Sequence, residues 1–209
     1  HFTLAVIRRS IGDYRQMFRH CYAATKLARG DARITSGAMG VRASSYVDFG
    51  YVRRAIRLFE RRLEIAQDLG DQMGIGNTTG NLGWAHVLIG EADEALPYLD
   101  IQLAITRQIG DLRGQCNALG NRGFALYLKG DAAAAISTYE EELEIAAKIH
   151  YRSEILSARM RHALARSARG EHNAATADLQ LLIEAEGTTP HAQLLGALSV
   201  AHYRAGNYE

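Results

Sequence analysis

Asn77, Asn81, Trp84 and Leu88 stand at i, i+4, i+7 and i+11, and Asn117, Asn121, Phe124 and Leu128 repeat those types at the same spacing forty residues later. Helical spacing puts each set on one side of a helix. An asparagine amide both donates and accepts hydrogen bonds, so such a side can satisfy the N–H and C=O groups of an extended peptide without reading its side chains. An extended chain rises about 3.3 Å per residue and packed helices stand about 8–10 Å apart, so one asparagine would meet roughly every third peptide residue. Trp84 and Phe124 would add apolar anchorage, which contributes above about 2 kcal/mol at the best interface positions. One unit later the set reads Ser157, Arg161, Leu164 and Ala168, and one unit earlier Gly37, Val41, Ser44 and Asp48. Arg161 is suited to grip a carboxylate through two parallel bonds. A plainer use stands beside this one: asparagines capping turns or joining helices, Trp84 and Phe124 in the core, and Arg161 in a local ion pair.

Other chemistries find little support. Eight histidines are scattered without an H-x-x-x-H pair or a cysteine companion, so no metal site is expected. The glycine-rich "MGIGNTTG" at Met73–Gly80 is followed by no lysine and preceded by no strand pattern, which argues against a phosphate loop and any nucleotide cofactor. No nucleophile has a base at a plausible spacing, and the chain is not expected to be an enzyme. The basic "YVRRAIRLFERR" from Tyr51 and the acidic "YEEELE" from Tyr139 read as solvated faces of helices. Nucleic-acid binding along Arg53, Arg54, Arg57, Arg61 and Arg62 is disfavoured by the near-neutral total charge and the lack of a reading motif.

These residues need helices to carry them, and the composition supplies helices. The 209 residues are 47% hydrophobic and 22% charged, ordinary for a chain able to bury a core, with only two prolines. An all-α protein follows. Cys21 and Cys116 lie far apart with no metal or disulfide spacing, which points to a reducing, cytoplasmic location. No apolar run approaches the roughly 20 residues needed to span a bilayer. The net charge of +1 hides an imbalance: residues 1–70 hold 13 Lys/Arg against 6 Asp/Glu, and residues 71–209 hold 11 against 17. A basic end could attract an acidic partner or the acidic end of a second copy.

The chain is periodic. Glycines recur at Gly50, Gly90, Gly130 and Gly170, alanines at Ala55, Ala95, Ala135 and Ala175, and a Gly-Asp pair at Gly30, Gly70 and Gly110 that becomes His150-Tyr151. A fixed period of this length is the signature of a helical repeat, and each period holds two helical patterns separated by a glycine. The unit is a helix hairpin, with approximate boundaries 1–29, 30–69, 70–109, 110–149, 150–187 and an incomplete 188–209 in a single array. Pro97 is expected in the first turns of its helix, where a missing N–H matters little. Gly80 and Gly83, inside a first helix, each cost about 1 kcal/mol against alanine, and close helix approach is the expected gain.

The stretch "NLGWAHVLIGEADEAL", with Gly83, Gly90 and Ala95, resembles the tetratricopeptide repeat family. The forty-residue length and the "IGD" junction look most like the longer repeats of Pins/LGN-type adaptors and of the sensor arms of bacterial multidomain regulators. The resemblance covers roughly residues 12–209 and is strongest between 50 and 148. It weakens after 149, where "IHY" replaces "IGD" and Met160 stands at the place of Gly80 and Gly120. It implies a right-handed superhelical solenoid of antiparallel hairpins, with the asparagine side of the first helices lining a concave groove. Gly206 matches the turn glycine Gly90 with no second helix after it, so a fragment of a longer chain is expected.

The expected function is therefore a scaffold or sensor that holds an extended protein or peptide segment through Asn77, Asn81, Trp84, Asn117, Asn121 and Phe124, with Arg161 selecting an acidic group. The alternative is self-association, or an autoinhibitory arm of a larger regulator or enzyme. No cofactor, metal or membrane is expected as a partner.

Overall fold

A computed structural model describes residues 1–186 and 192–205. It contains eleven α-helices and no strand among those residues. Gly206 and the boundary between residues 187 and 188 lie outside the described residues.

The chain divides into two compact units, His1–Ile105 and Thr106–Glu209. The first unit holds α1 (Phe2–Ser10), α2 (Tyr14–Leu27), α3 (Ala32–Asp48), α4 (Val52–Asp68), α5 (Gln72–Leu88) and most of α6 (Ala92–Gln108). The second holds α7 (Leu112–Lys129), α8 (Ala132–Lys148), α9 (Arg152–Ala168), α10 (His172–Glu186) and α11 (Ala192–Ala205).

The Gly-Asp pairs explain where helices stop and start. Gly70 and Gly110 take φ of 61° and 71°, a region open to glycine at little cost, and the next residue turns back into the chain. Asp71 N–H donates to the Ala66 carbonyl at 2.9 Å, and Asp111 N–H to that of Thr106 at 2.9 Å. The same aspartates then cap the following helix, with Oδ1 accepting from Gly74 N and Gly114 N at 2.9 Å each. At the weakened junction the turn keeps its shape: Tyr151 N–H donates to the Ala146 carbonyl at 2.9 Å. His150 is nevertheless driven to φ 54°, and Tyr151 gives α9 no side-chain cap. Pro97 is the sixth residue of α6, within its first turns as expected, but past the residues whose N–H groups lack a helical partner, so the helix forgoes one backbone bond there.

The hairpins close on small residues of their first helices. Positions 43, 83, 123 and 163 are Ala43, Gly83, Gly123 and Ala163, and sixteen residues on stand Phe59, Leu99, Tyr139 and Leu179, none more than 1% exposed. A Cβ at Gly83 would sit 2.5 Å from Leu99 Cγ and 3.3 Å from the Ala95 carbonyl oxygen. At Gly123 it would sit 2.8 Å from Cδ1 of Tyr139. The close approach expected from the sequence is present, and the completely buried Ala55, Ala95, Ala135 and Ala175 complete it from the second helix.

One turn earlier a second set of glycines admits polar groups. Arg62 guanidinium lies against Gly40, the Gln102 amide against Gly80 and the Glu142 carboxyl against Gly120. Where Met160 replaces the glycine, the opposing residue is Leu182, and both belong to one apolar cluster. The acidic and basic stretches of α8 and α4 are therefore not wholly solvated faces. Glu142 is 0% exposed, and Arg62 Nε is buried without a hydrogen-bond partner. Helical spacing carries one residue of each run inward, where a bare glycine leaves room for its head.

Glu142 has its counter-charge. Arg161 Nη2 donates to Glu142 Oε1 at 2.6 Å and to Glu154 Oε1 at 2.7 Å, and its guanidinium stands 5.7 Å from the Tyr139 ring centroid. Burial nevertheless pushes the Glu142 carboxyl up to about 8, the Arg161 charge opposing it, while a hydrogen bond to Glu154 further favours the neutral acid. Burial outweighs the ion pair because the whole side chain is withdrawn from water.

Three outcomes follow. His150→Gly should stabilise the fold by about 0.5–1 kcal/mol in urea titrations, relief of the left-handed strain exceeding the entropy lost by glycine. Gly123→Ala should destabilise by about 1–3 kcal/mol despite the better helix propensity, because the buried Tyr139 ring cannot move aside. For Glu142, the folded-state pKa lies above the unfolded one, so its contribution is fully present below pH about 4.5 and declines as pH rises to about 8. Thermal melts of Glu142→Gln should therefore match wild type near pH 5 and lie above it near pH 8.

Candidate peptide-binding faces

In the first unit α5 carries the sequence-predicted residues in a graded strip. Asn77 and Leu88 are exposed, and Asn81 and Trp84 are half-buried. In the second unit α7 repeats the grading, with Asn117 and Leu128 exposed and Asn121 and Phe124 half-buried. The opposite sides of these helices are occupied: Leu82, Ala85, Ala118, Leu119 and Ala125 are at most 1% exposed. The apolar periodicity thus turns the asparagines away from the core.

None of the side-chain amides of Asn77, Asn81, Asn117 and Asn121 makes a hydrogen bond among the described residues, and none caps a helix. The turn-capping work is done by Asp71 and Asp111 instead. Phe124 stacks on Tyr127 with ring centroids 6.2 Å apart and planes at 12°, which steadies its ring four residues before the exposed Leu128. Trp84 keeps a partial exposure on α5, neither core nor fully solvated.

Arg161 sits differently from the asparagines at its repeat position. On α9 it is held by Glu142 and Glu154, the local pairing weighed from the sequence, and its Nη2 would lie 2.9 Å from a Cβ at Gly120. Its side chain is 24% exposed, and Nε has no partner. It therefore borders the α7 face next to Asn121 with much of its charge already answered.

Sequence reasoning passed over Glu142 and Arg62, which were read within charged runs. Their signal is the repeat register: positions 62, 102 and 142 stand twenty-two residues after the glycines 40, 80 and 120. In the first unit Arg62 floors a cavity of about 300 Å³, walled by Phe2 and Val6 of α1, Val41 and Ser44 of α3 and Asn77 of α5. Burial depresses the Arg62 pKa, and Asp71 partly restores it.

Among the described residues no group of three His, Cys, Asp or Glu side chains could hold a metal. None of the described helices is long and apolar enough to cross a membrane. Cys21 and Cys116 are free and buried, and burial raises both thiols, Cys116 to about 11. Neither thiol is poised as a nucleophile.

A family model for the tetratricopeptide repeat matches residues 42–73 and 78–113. A search of curated protein sequences gave no match. Among solved structures, BtubC (BKLC) from P. vanneervenii superposes with a TM-score of 0.74 at 19% identity, over 90% of this chain and 80% of that one. A Podospora anserina structure described as a putative kinesin light chain with nearly identical TPR-like repeats gives 0.68 at 21% identity, over 85% and 89%. A STAND signal-transduction ATPase with a tetratricopeptide repeat sensor, from Pyrococcus horikoshii, gives 0.73 at 14% identity, over 99% of this chain and 33% of that one. Two segments of the chain thus match the tetratricopeptide repeat model, and over most of its length the chain shares the helical-repeat fold of these structures.

Proposed function

We propose that the chain is a protein-interaction scaffold in which α5 and α7 each hold a stretch of extended polypeptide, Asn77 and Asn81 on one and Asn117 and Asn121 on the other. The observation that carries this reading is that these four amides are repeated at fixed spacing, turned from the core and left without side-chain partners. An amide with an unused donor and acceptor matches a peptide unit in both respects. Trp84 and Phe124, half-buried beside them, supply apolar anchorage. Arg161 adds a cationic edge for an acidic group on the segment, though Glu142 and Glu154 weaken its pull. The chemistry is recognition and not catalysis, and its setting is cytoplasmic, in keeping with two buried free thiols.

Within a larger regulator the same event would serve as a sensor. The likeness to a third of a STAND protein with a tetratricopeptide repeat sensor supports that use. A ligand acts in this way only by preferring one arrangement of the helices over another.

The test is selection of a phage-displayed random twelve-residue peptide library on the purified chain. Wild type should enrich a family of peptides. Asn81→Ala and Asn121→Ala, melting like wild type by circular dichroism, should each bind the best peptide about three- to tenfold more weakly by calorimetry, one or two hydrogen bonds being lost. No enrichment, or unchanged affinity in both variants, would move binding away from these faces.

A further inference from the structure

The cavity above Arg62 and the ion pair above Glu142 are the same place in two repeats. In each, a second-helix side chain twenty-two residues after a first-helix glycine lays its charged head on that glycine. Glu142 is answered by Arg161, nineteen residues further on, and Arg161 is also held by Glu154. The residues standing in the first unit where those two stand are Asn81 and Gly74. Neither is charged. Arg62 makes no ion pair among the described residues, and its Nε, buried to less than 1 Å² of exposed area, has no hydrogen-bond partner.

Nearby charges do not supply the missing anion. Asp71 acts on Arg62 through its charge alone, with no hydrogen bond between them, and its Oδ1 accepts from Gly74 N at 2.9 Å. Arg9, at the rim, is held by both carboxylate oxygens of Asp48 at 2.9 and 3.0 Å. Ser10 Oγ donates to the Ile7 carbonyl at 2.8 Å, and Ser44 and Asn77 are left as polar groups facing the space. A cation withdrawn from water without a counter-charge is costly, and the same fold neutralises its mirror image at Glu142.

We propose that this cavity is a binding subsite for the carboxylate of an aspartate or glutamate side chain on the segment held by α5, with Arg62 as its partner and a neighbouring apolar residue of the segment against Phe2, Val6 and Val41. This rests on the peptide reading of the α5 face. Asn77 lines the cavity and belongs to that face, so a segment bonded to Asn77 and Asn81 passes the cavity mouth. The planar guanidinium fork matches a carboxylate. The three apolar walls and the absence of any second unpaired cation in the cavity favour a single carboxylate over a phosphate.

The same peptide library decides the matter, selected in parallel on wild type and Arg62→Gln. The variant is structurally conservative, because Gln102 already occupies the equivalent place against Gly80. Its melting temperature, equal to or above that of wild type, confirms folding. Wild-type peptides should carry Asp or Glu at one fixed offset from an apolar residue. Arg62→Gln should still enrich peptides but without that acidic position. By calorimetry the best wild-type peptide should lose about tenfold or more in affinity on Arg62→Gln. Its amide counterpart, Asp to Asn or Glu to Gln, should bind wild type and variant alike. An acidic preference that survives Arg62→Gln, or wild-type peptides with no acidic position, would overturn the subsite while leaving the α5 face intact. An absence of any enrichment would overturn the face and the subsite together.

Discussion

Everything in this molecule depends on how closely the two helices of a hairpin approach. At Gly83 and Gly123 the first helix presents bare backbone, and Leu99 and Tyr139 lie on it. Those glycines sacrifice about 1 kcal/mol of helix propensity each, while burying a leucine or an aromatic side chain returns about 1.5–3 kcal/mol. Burial wins, and the contact recurs with Phe59 and Leu179 over alanines. Because the second helix fills one side of the first so completely, the other side is freed from core duty. That is why α5 and α7 can spend their remaining faces on asparagines.

The second glycine series gives the repeats their individuality. One geometry, a bare Cα opposite a long side chain, accommodates an arginine, an amide or an acid, and turns apolar where Met160 meets Leu182. The electrostatic consequences differ sharply between occupants. Glu142 has a counter-charge within its own unit, Arg161 donating to Oε1, although its Oε2 is buried without a hydrogen-bond partner. Arg62 keeps a desolvated charge beneath an open cavity. Backbone likeness to solved structures at 14–21% identity carries none of this, because it reports the hairpins and not the heads laid between them.

The forty-residue period, the helix hairpins and the turn positions were legible before any coordinates, for a local reason. A left-handed glycine, an aspartate cap and an i, i+4, i+7 stripe act within a few residues of each other, so their types and spacing are sufficient. The same locality placed Asn77, Asn81 and Trp84 on one side of α5. It also told that Gly80 and Gly83 required close neighbours, though not which ones.

Only the tertiary structure decided which charges are inside. Glu142 and Arg62 each sit in a run of charged residues, and nothing within those runs separates the buried head from its solvated neighbours. The deciding facts are a glycine twenty-two residues earlier and an arginine nineteen residues later, or the lack of a counter-charge there. Desolvation and Coulombic pairing depend on distances between helices, whereas the sequence pattern records only positions along one.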